Sequence, residues 1–220
     1  MRAMILAAGR GERMRPLTDR HPKPLLKAGG KSLIVYIIEG LKKANITELV
    51  INHAHLGHQI VEALGDGSQL EVKITYSAEQ TALETAGGII QALPLLGKEP
   101  FLVVNGDIWT DFDFSTLALP AGSLAHLVVV PNPLHNPTGD FMLAQDGLMR
   151  ATGVQKLTFS GIGIYSPALF AGMAPERAAL APLLRDFMDQ GKVTGQKFTG
   201  KWEDIGSPER LMRLDAKLRG

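Results

Sequence analysis

The chain contains no cysteine. This excludes disulfides, thiolate zinc sites and cysteine nucleophiles, and it is compatible with a reducing cytoplasm, the expected location. An excess of charge of one sign is also missing. The formal net charge is +1, which argues against a nucleic-acid coat or a membrane surface. No apolar run reaches the length of a membrane span. The N-terminal apolar run is short and leads into arginines, the wrong order for a secretory signal peptide. There are no internal repeats, no low-complexity segment, no G-x-S-x-G elbow of a serine hydrolase and no H-E-x-x-H zinc motif. What remains is 220 residues with an ordinary 45% of hydrophobic side chains, enough for one domain with a good-sized core.

The most informative stretch is Met4-Ile5-Leu6-Ala7-Ala8-Gly9-Arg10-Gly11-Glu12-Arg13-Met14-Arg15-Pro16-Leu17-Thr18, followed by Pro22-Lys23-Pro24-Leu25. An apolar run breaks into a loop with two glycines, and cations follow. Glycine permits φ > 0 and lets backbone N–H groups approach a ligand, while the cations supply the charge that a triphosphate needs. Neither common phosphate motif fits. The dinucleotide fingerprint wants a third glycine where Met14 stands. Gly29-Gly30-Lys31-Ser32 fails as a Walker A loop because its first glycine would fall at Leu25. Gly29-Gly30 reads instead as a turn, with Ser32 capping the next helix.

Strand and helix alternate through the first half of the chain. Strands are expected at residues 3–7, 48–51, 72–76 and 101–104. Helices are expected at 33–44, 60–64 and 88–93, the last ended by Pro94. The continuous run Phe101-Leu102-Val103-Val104 suits a strand buried on both faces of a parallel sheet. This order predicts an α/β architecture with right-handed crossovers. After about residue 111 the pattern loosens. Strands are expected at 124–130, 140–143, 157–159 and 162–165, a stiff proline loop at 131–137, and helices at 180–188 and 209–218. Ser207 is the expected N-cap of the last helix, with Pro208 at its first position. No linker separates the halves, so residues 1–220 are expected to form one domain. Its nucleotide-binding half would be about 1–111 and its acceptor-binding half about 112–220.

Two aspartates could carry chemistry. Asp107 follows a buried strand in Val103-Val104-Asn105-Gly106-Asp107, and ligands of open α/β sheets bind beyond the carboxyl ends of the strands. A carboxylate there can hold a hard cation such as Mg²⁺, or simply cap the following turn. Asp204 lies in Trp202-Glu203-Asp204-Ile205-Gly206-Ser207-Pro208, where a pre-helix turn carboxylate is an equally good reading. His53, His55 and His58 form H-x-H-x-x-H, but surface or neighbouring-shell histidines are a better reading than a metal site, because no cysteine or further motif assists.

Taken together, these residues resemble the sugar-1-phosphate nucleotidyltransferases. The run Leu6-Ala7-Ala8-Gly9-x-Gly11-x-Arg13-Met14-x-Pro16-Leu17-Thr18 with Pro22-Lys23-Pro24 is similar to the family signature. Asn105-Gly106-Asp107 matches the first metal aspartate and Trp202-x-Asp204-Ile205-Gly206 the second. Gly65-Asp66-Gly67-Ser68 and Leu83-x-Thr85-Ala86-Gly87 also fit, in family order from end to end. Glu84 departs from the pattern, which has glycine there. With that variant, Asn52-His53-Ala54, Asn105 to Asp111 and Gly139-Asp140-Phe141 resemble the N-acetylmuramic acid-1-phosphate uridylyltransferases of bacterial cell-wall recycling. The glutamate-lysine-proline element of many relatives is absent, with Lys156 the nearest cation. The β-helix or regulatory extension that some relatives carry is not expected after the closing helix.

The resemblance implies a Rossmann-like nucleotide-diphospho-sugar transferase fold, a mixed and mostly parallel sheet flanked by helices. It implies UTP plus a sugar α-1-phosphate giving a UDP-sugar and pyrophosphate, with Mg²⁺ held by Asp107 and Asp204. Arg13 would grip the β,γ-phosphates and Lys23 the sugar phosphate and α-phosphate. Ala7, Ala8, Gly9, Gly11, Arg13 and Asn105 would hold the nucleotide, with Glu79, Thr85 and Gly87 bordering uracil and ribose. Gly139, Asp140, Ser160 and Gly161 would line the sugar. A lactyl carboxylate would want a cation or free amides, for which Arg150, Lys156 and His135 are candidates. The rival acceptors are mannose-1-phosphate with GTP and glucose- or N-acetylglucosamine-1-phosphate with UTP. A non-catalytic nucleotide-sugar sensor is the rival of another class. A Rossmann dehydrogenase is disfavoured by Met14 and by Asn52-His53 at the second strand's tip. No nucleic-acid or membrane partner is expected, and a monomer is the default.

Overall fold

A computed structural model describes residues 1–220. The chain opens with β1 (Ala3–Leu6), the hairpin strands β2 (Lys27–Ala28) and β3 (Lys31–Ser32), then α1 (Leu33–Lys43), β4 (Glu48–His53), α2 (Gly57–Leu64) and β5 (Lys73–Ala78). It continues through α3 (Glu84–Leu96), β6 (Phe101–Asn105), β7 (Ile108–Thr110), β8 (Ala125–Val130), β9 (Phe141–Leu143), β10 (Met149–Arg150) and β11 (Lys156–Tyr165). The last elements are α4 (Leu180–Asp189), β12 (Val193–Lys197), β13 (Trp202–Asp204) and α5 (Pro208–Arg219).

Nine strands form one sheet, and strands from both halves of the sequence belong to it. Its centre is parallel, in the order β6-β1-β4-β5. β11 then joins β6 antiparallel and carries β8 and β9 on its other side, with β12 parallel to β8. Side chains alternate between two apolar layers. Ala3 and Ile5 of β1 enter one with α1 and α2, and Met4 enters the other with α3 and α4. A third cluster joins Met14 to Leu26, Leu33, Ile205, Leu211 and Leu214, so the C-terminal helix clamps the glycine loop from outside the sheet. Met14, which occupies the place of the missing third glycine, is fully buried there.

Several local expectations change. Ser32 precedes α1 but its side chain makes no cap bond. Ser32 is paired in the hairpin with Lys27, and the amide of Leu33 donates to the Leu26 carbonyl instead, 3.0 Å away. Ser207 does cap α5, accepting from the Arg210 amide, with Pro208 at the first position. Helix α3 begins earlier than expected and passes through Pro94. It begins early because the amides of Ala86 and Gly87 find an acceptor outside the helix, the Ala178 carbonyl at 2.9 and 3.2 Å. It tolerates Pro94 because a proline in the last turn forfeits one donor, while Leu96 beyond it is buried. The two strands expected at 157–159 and 162–165 are one strand, β11, whose register against β8 shifts between Phe159 and Ile162. Pairs β2–β3 and β7–β13, together with β10, are too short to show a period of two, and β12 is interrupted by Gly195.

Candidate active site

A cavity of about 430 Å³ opens beyond the carboxyl ends of β1 and β6. Its floor is the glycine loop: Leu6, Ala7, Ala8, Gly9, Gly11, Glu12, Arg13 and Met14 all line it. The two glycines act differently. Gly11 has φ 63, and a Cβ there would lie 2.8 Å from Thr18 Cγ2, so no other residue fits without strain. The Thr18 hydroxyl donates to the Gly11 carbonyl at 2.8 Å and fixes that turn. Gly9 faces open space, where a Cβ would meet nothing within 4 Å. Ala7 donates its amide to Asn52 Oδ1, 2.9 Å away. The amides of Ala8, Gly9, Arg10 and Gly11 donate to no acceptor in the protein. Such a row of free amides can cradle an anion. Arg13 lines the same cavity, is exposed and forms no ion pair. Arg15 is turned away on the surface, paired with Asp19 at 3.3 Å.

On the far wall stands a buried carboxylate without a cation. Glu79 Oε1 accepts from Asn52 Nδ2 at 2.6 Å and Oε2 from the Leu83 amide at 2.9 Å. Gly88 makes room for them, since a Cβ there would lie 2.7 Å from Glu79 and 2.8 Å from Asn52. Asn52 therefore ties the glycine loop to Glu79 across the cavity. Glu79, Thr85 and Asn105 line the cavity, as do Ala82 and Glu84. Gly87 does not, because it packs against a neighbouring segment, with the Glu176 carbonyl 2.1 Å from where its Cβ would be.

The two aspartates are brought together by β7 and β13. Asp204 pairs in register with Ile108, and the Ile205 amide donates to the Asp107 carbonyl at 2.9 Å. Gly106 permits this turn against β1, with a Cβ there only 2.7 Å from the Leu6 carbonyl. Asp107 lines the cavity and ion-pairs with Lys23, whose side chain is only 10% exposed. Asp204 lies beside the lining residue Gly206 and is held by Arg210 and by His135 Nε2, the latter at 2.7 Å. No three acidic or histidine side chains converge anywhere. Asp107 and Asp204 could supply two carboxylates to Mg²⁺, a cation that keeps several waters and takes few protein ligands. Each carboxylate faces a side-chain cation, Lys23 at Asp107 and Arg210 at Asp204. The histidine trio is dispersed: His53 meets Tyr76 edge-on at 5.8 Å and packs against Gly57.

Beside this cavity lies a second of about 380 Å³, sharing Glu84, Thr85 and Asn105 with it. Its other walls are Phe141, Phe159 and residues 179–181 and 184 at the start of α4. None of the four residues expected to line the sugar lines either cavity, and each makes other contacts. Ser160 is buried, its hydroxyl donating to the Val128 carbonyl at 2.7 Å and accepting from the Ile162 amide at 3.2 Å, which stitches the bulge of β11. Asp140 accepts from the Phe159 amide at 2.8 Å and from Asn136 at 3.2 Å, ordering the proline loop. Gly139 is wedged against Asn132 and the Lys156 carbonyl. Gly161 backs Asn105, with room for no Cβ. The apolar walls and the Asn52–Glu79 bridge were not singled out by sequence. Glu84 stood out there only as a departure from the family pattern, and the structure adds that its backbone is left-handed, φ 61.

A family model described as nucleotidyl transferase matches residues 2–139. The chain is 57% identical to an N-acetylmuramate alpha-1-phosphate uridylyltransferase of Neisseria meningitidis serogroup B, over 98% of this chain and 97% of that one. It is 34% identical to a Caulobacter vibrioides protein of the same name, over 98% and 96% of the two chains. A solved structure from Bacillus anthracis, assigned as a glucose-1-phosphate thymidylyltransferase and bound to sucrose, superposes with a TM-score of 0.86 at 22% identity, covering 100% of this chain and 95% of that one. At that identity the likeness is one of fold, a Rossmann-like sheet with a parallel centre flanked by helices.

Proposed function

The chain belongs to the nucleotidyl transferase family of enzymes, and we propose that it joins UTP to N-acetylmuramate α-1-phosphate, giving UDP-N-acetylmuramate and pyrophosphate. The observation that carries this reading is the row of four unpartnered amides beside the free guanidinium of Arg13, on the floor of a cavity that shares Glu84, Thr85 and Asn105 with an apolar pocket. The identity of acceptor and nucleotide rests on the near full-length likeness to the Neisseria and Caulobacter proteins.

The acceptor phosphate oxygen attacks the α-phosphorus of UTP, the bond to the bridging oxygen of the β-phosphate breaks, and pyrophosphate leaves in line. A phosphate monoester is largely ionised at neutral pH, with a second pKa of about 6, so no general base is needed. Two anions must meet, and the protein's task is alignment and charge compensation. The amides from Ala8 to Gly11 seat the triphosphate. Arg13 grips the β,γ-phosphates with its planar fork and stabilises the leaving group. Lys23 moves its charge from Asp107 to the α-phosphate and the incoming sugar phosphate. Glu79, set by Asn52 and Leu83, borders the uracil and ribose with Thr85, and Asn105 stands at the junction of nucleotide and acceptor. Mg²⁺, bound through Asp107 and Asp204, would neutralise charge developing on the phosphate oxygens. The proposed product is a nucleotide-activated cell-wall sugar, which supports a role in peptidoglycan recycling in the cytoplasm.

A screen of pyrophosphate release tests the reading. It pairs UTP, GTP, ATP and dTTP with N-acetylmuramate, N-acetylglucosamine, glucose and mannose α-1-phosphates. UTP with N-acetylmuramate α-1-phosphate should give the highest kcat/KM. Preference for GTP with mannose-1-phosphate would overturn the substrate assignment and leave the transfer chemistry standing.

A further inference from the structure

The pocket next to the nucleotide cavity has no cation in its wall, yet the acceptor proposed above carries a lactyl carboxylate, and a buried carboxylate without a partner is costly. The three cations that the sequence suggests are engaged or averted. Arg150 pairs with Asp146 at 3.0 Å, and His135 holds Asp204. Lys156 precedes Leu157, which pairs with the pocket residue Phe141, so alternation along β11 sends Lys156 to the opposite face.

Arg177 is differently placed. Its Nε and Nη2 both lie 2.8 Å from Glu84 Oε1, and Glu84 is on the shared rim of the two cavities. Arg177 has no other charged partner and its side chain is 75% exposed. The segment that carries it is docked on the head of α3, where the Ala178 amide donates to the Leu83 carbonyl at 2.9 Å and the Ala178 carbonyl accepts from Ala86 and Gly87. Glu84 holds a left-handed backbone that a non-glycine residue rarely adopts, and such outliers concentrate at sites where a side chain is wanted in one place.

We propose that Arg177, presented at the rim by Glu84, binds the carboxylate of an acidic sugar phosphate and so selects the acceptor. The inference rests on the functional reading above. A guanidinium has five donors in a planar fork, and Glu84 takes only two, so one edge remains for a second carboxylate. Glu84 keeps the cation from collapsing elsewhere and offsets its charge while the pocket is empty. Lysine, with a single ammonium, could not serve both carboxylates in the same plane.

The test compares two acceptors that differ only in the lactyl ether, N-acetylmuramate and N-acetylglucosamine α-1-phosphates. The second is read as a substrate or as a competitive inhibitor of the first. Arg177→Ala should raise KM for the acidic acceptor about tenfold or more, with kcat and the KM for UTP nearly unchanged and the neutral sugar unaffected. Arg177→Lys should recover part of the loss. Arg185→Ala is the comparison, since that guanidinium lies over the Phe141 ring at 5.8 Å but does not line the pocket. It should be neutral with both sugars. An equal loss with both acceptors, no loss at all, or an acid-selective loss at Arg185 instead of Arg177 would overturn the inference while leaving the enzyme a uridylyltransferase of N-acetylmuramate phosphate. A wild-type enzyme inactive with N-acetylmuramate α-1-phosphate would overturn the functional reading itself. Melting temperatures of the variants should match the wild type, because the pair removed is exposed.

Discussion

At the phosphate end of the cavity the protein offers main chain and an unpartnered charge, whereas at the acceptor end it offers apolar side chains and one charge already paired. The first end is contiguous in sequence, since residues 7–25 supply the amides, Arg13 and Lys23. The second is assembled from β9, β11, the head of α3 and the start of α4. The difference follows from the ligands. A triphosphate presents the same oxygens whatever sugar it will carry, so one loop suffices. An acceptor is told apart from similar sugars by shape and a few groups, which takes walls from several elements. On the proposed function, the parallel half of the sheet would carry the chemistry common to the reaction, and the antiparallel half most of the wall that chooses the acceptor.

Exchanging the carboxylates should break the phosphate end most severely. Asp107→Asn and Asp204→Asn should each lower kcat by about a hundredfold or more, as loss of an electrostatic anchor does. The two should differ in stability. Asp107→Asn leaves Lys23 nearly buried without its partner, so its melting temperature should fall as well. In Asp204→Asn, the partner Arg210 stays next to His135, and the loss of stability should be smaller. Near-normal rates in either variant would remove that aspartate from the reaction.

Arg13→Ala comes next. Because Arg13 has no partner in the protein, its loss should leave the melting temperature unchanged while kcat/KM for UTP falls on the order of tenfold to a hundredfold. A variant that unfolds instead would make Arg13 a structural cation, and the contrast between free charge at one end and paired charge at the other would fail.

The same contrast explains what the sequence disclosed. The glycine loop, β1, β4, β6 and the caps of α5 are legible because local rules decide them: apolar runs of strand length, glycine at positive φ, serine followed by proline. Asp107 is legible because a parallel strand points its carboxyl end at the ligand. The sugar wall is not. Ser160 and Asp140 have the polar character of sugar ligands, but a register shift in β11 claims the first and the proline loop the second. A bulge is a relation between two strands, and neither strand's sequence states it. The apolar wall residues Phe141, Phe159 and Leu184 read as core, since only the packing leaves a space between them.

Ser160→Ala sharpens the acceptor side with a smaller effect. The hydroxyl satisfies the Val128 carbonyl and the Ile162 amide, so its removal should cost about 1–3 kcal/mol of stability, with acceptor KM unchanged. A rise in acceptor KM at unchanged stability would return Ser160 to the sugar site and move the bulge from a structural to a binding role.

The smallest expected effect separates the halves by acid. His126 on β8 lies between two side chains of β12, Thr194 Oγ1 at 2.8 Å from Nδ1 and Gln196 Oε1 at 3.1 Å from Nε2. Gln196 Oε1 can only accept, so Nε2 carries the proton and Nδ1 accepts from the threonine hydroxyl. Burial lowers the pKa of this imidazole below its ordinary 6.5, against a smaller opposing contribution from Gln196. Its unfolded form therefore binds a proton more readily than its folded form, and stability rises with pH across that interval. The contribution is fully present above pH 6.5 and is lost as the pH falls below it. His53, beside the nucleotide half, is lowered by burial in the same sense, with Glu79 opposing. Denaturant midpoints measured from about pH 7.5 down to about pH 5.5 should therefore decline, and His126→Gln should flatten part of that decline while leaving UTP binding untouched. If the slope is unchanged by His126→Gln and removed by His53→Gln, the acid-sensitive joint lies in the parallel half and not at the β8–β12 seam.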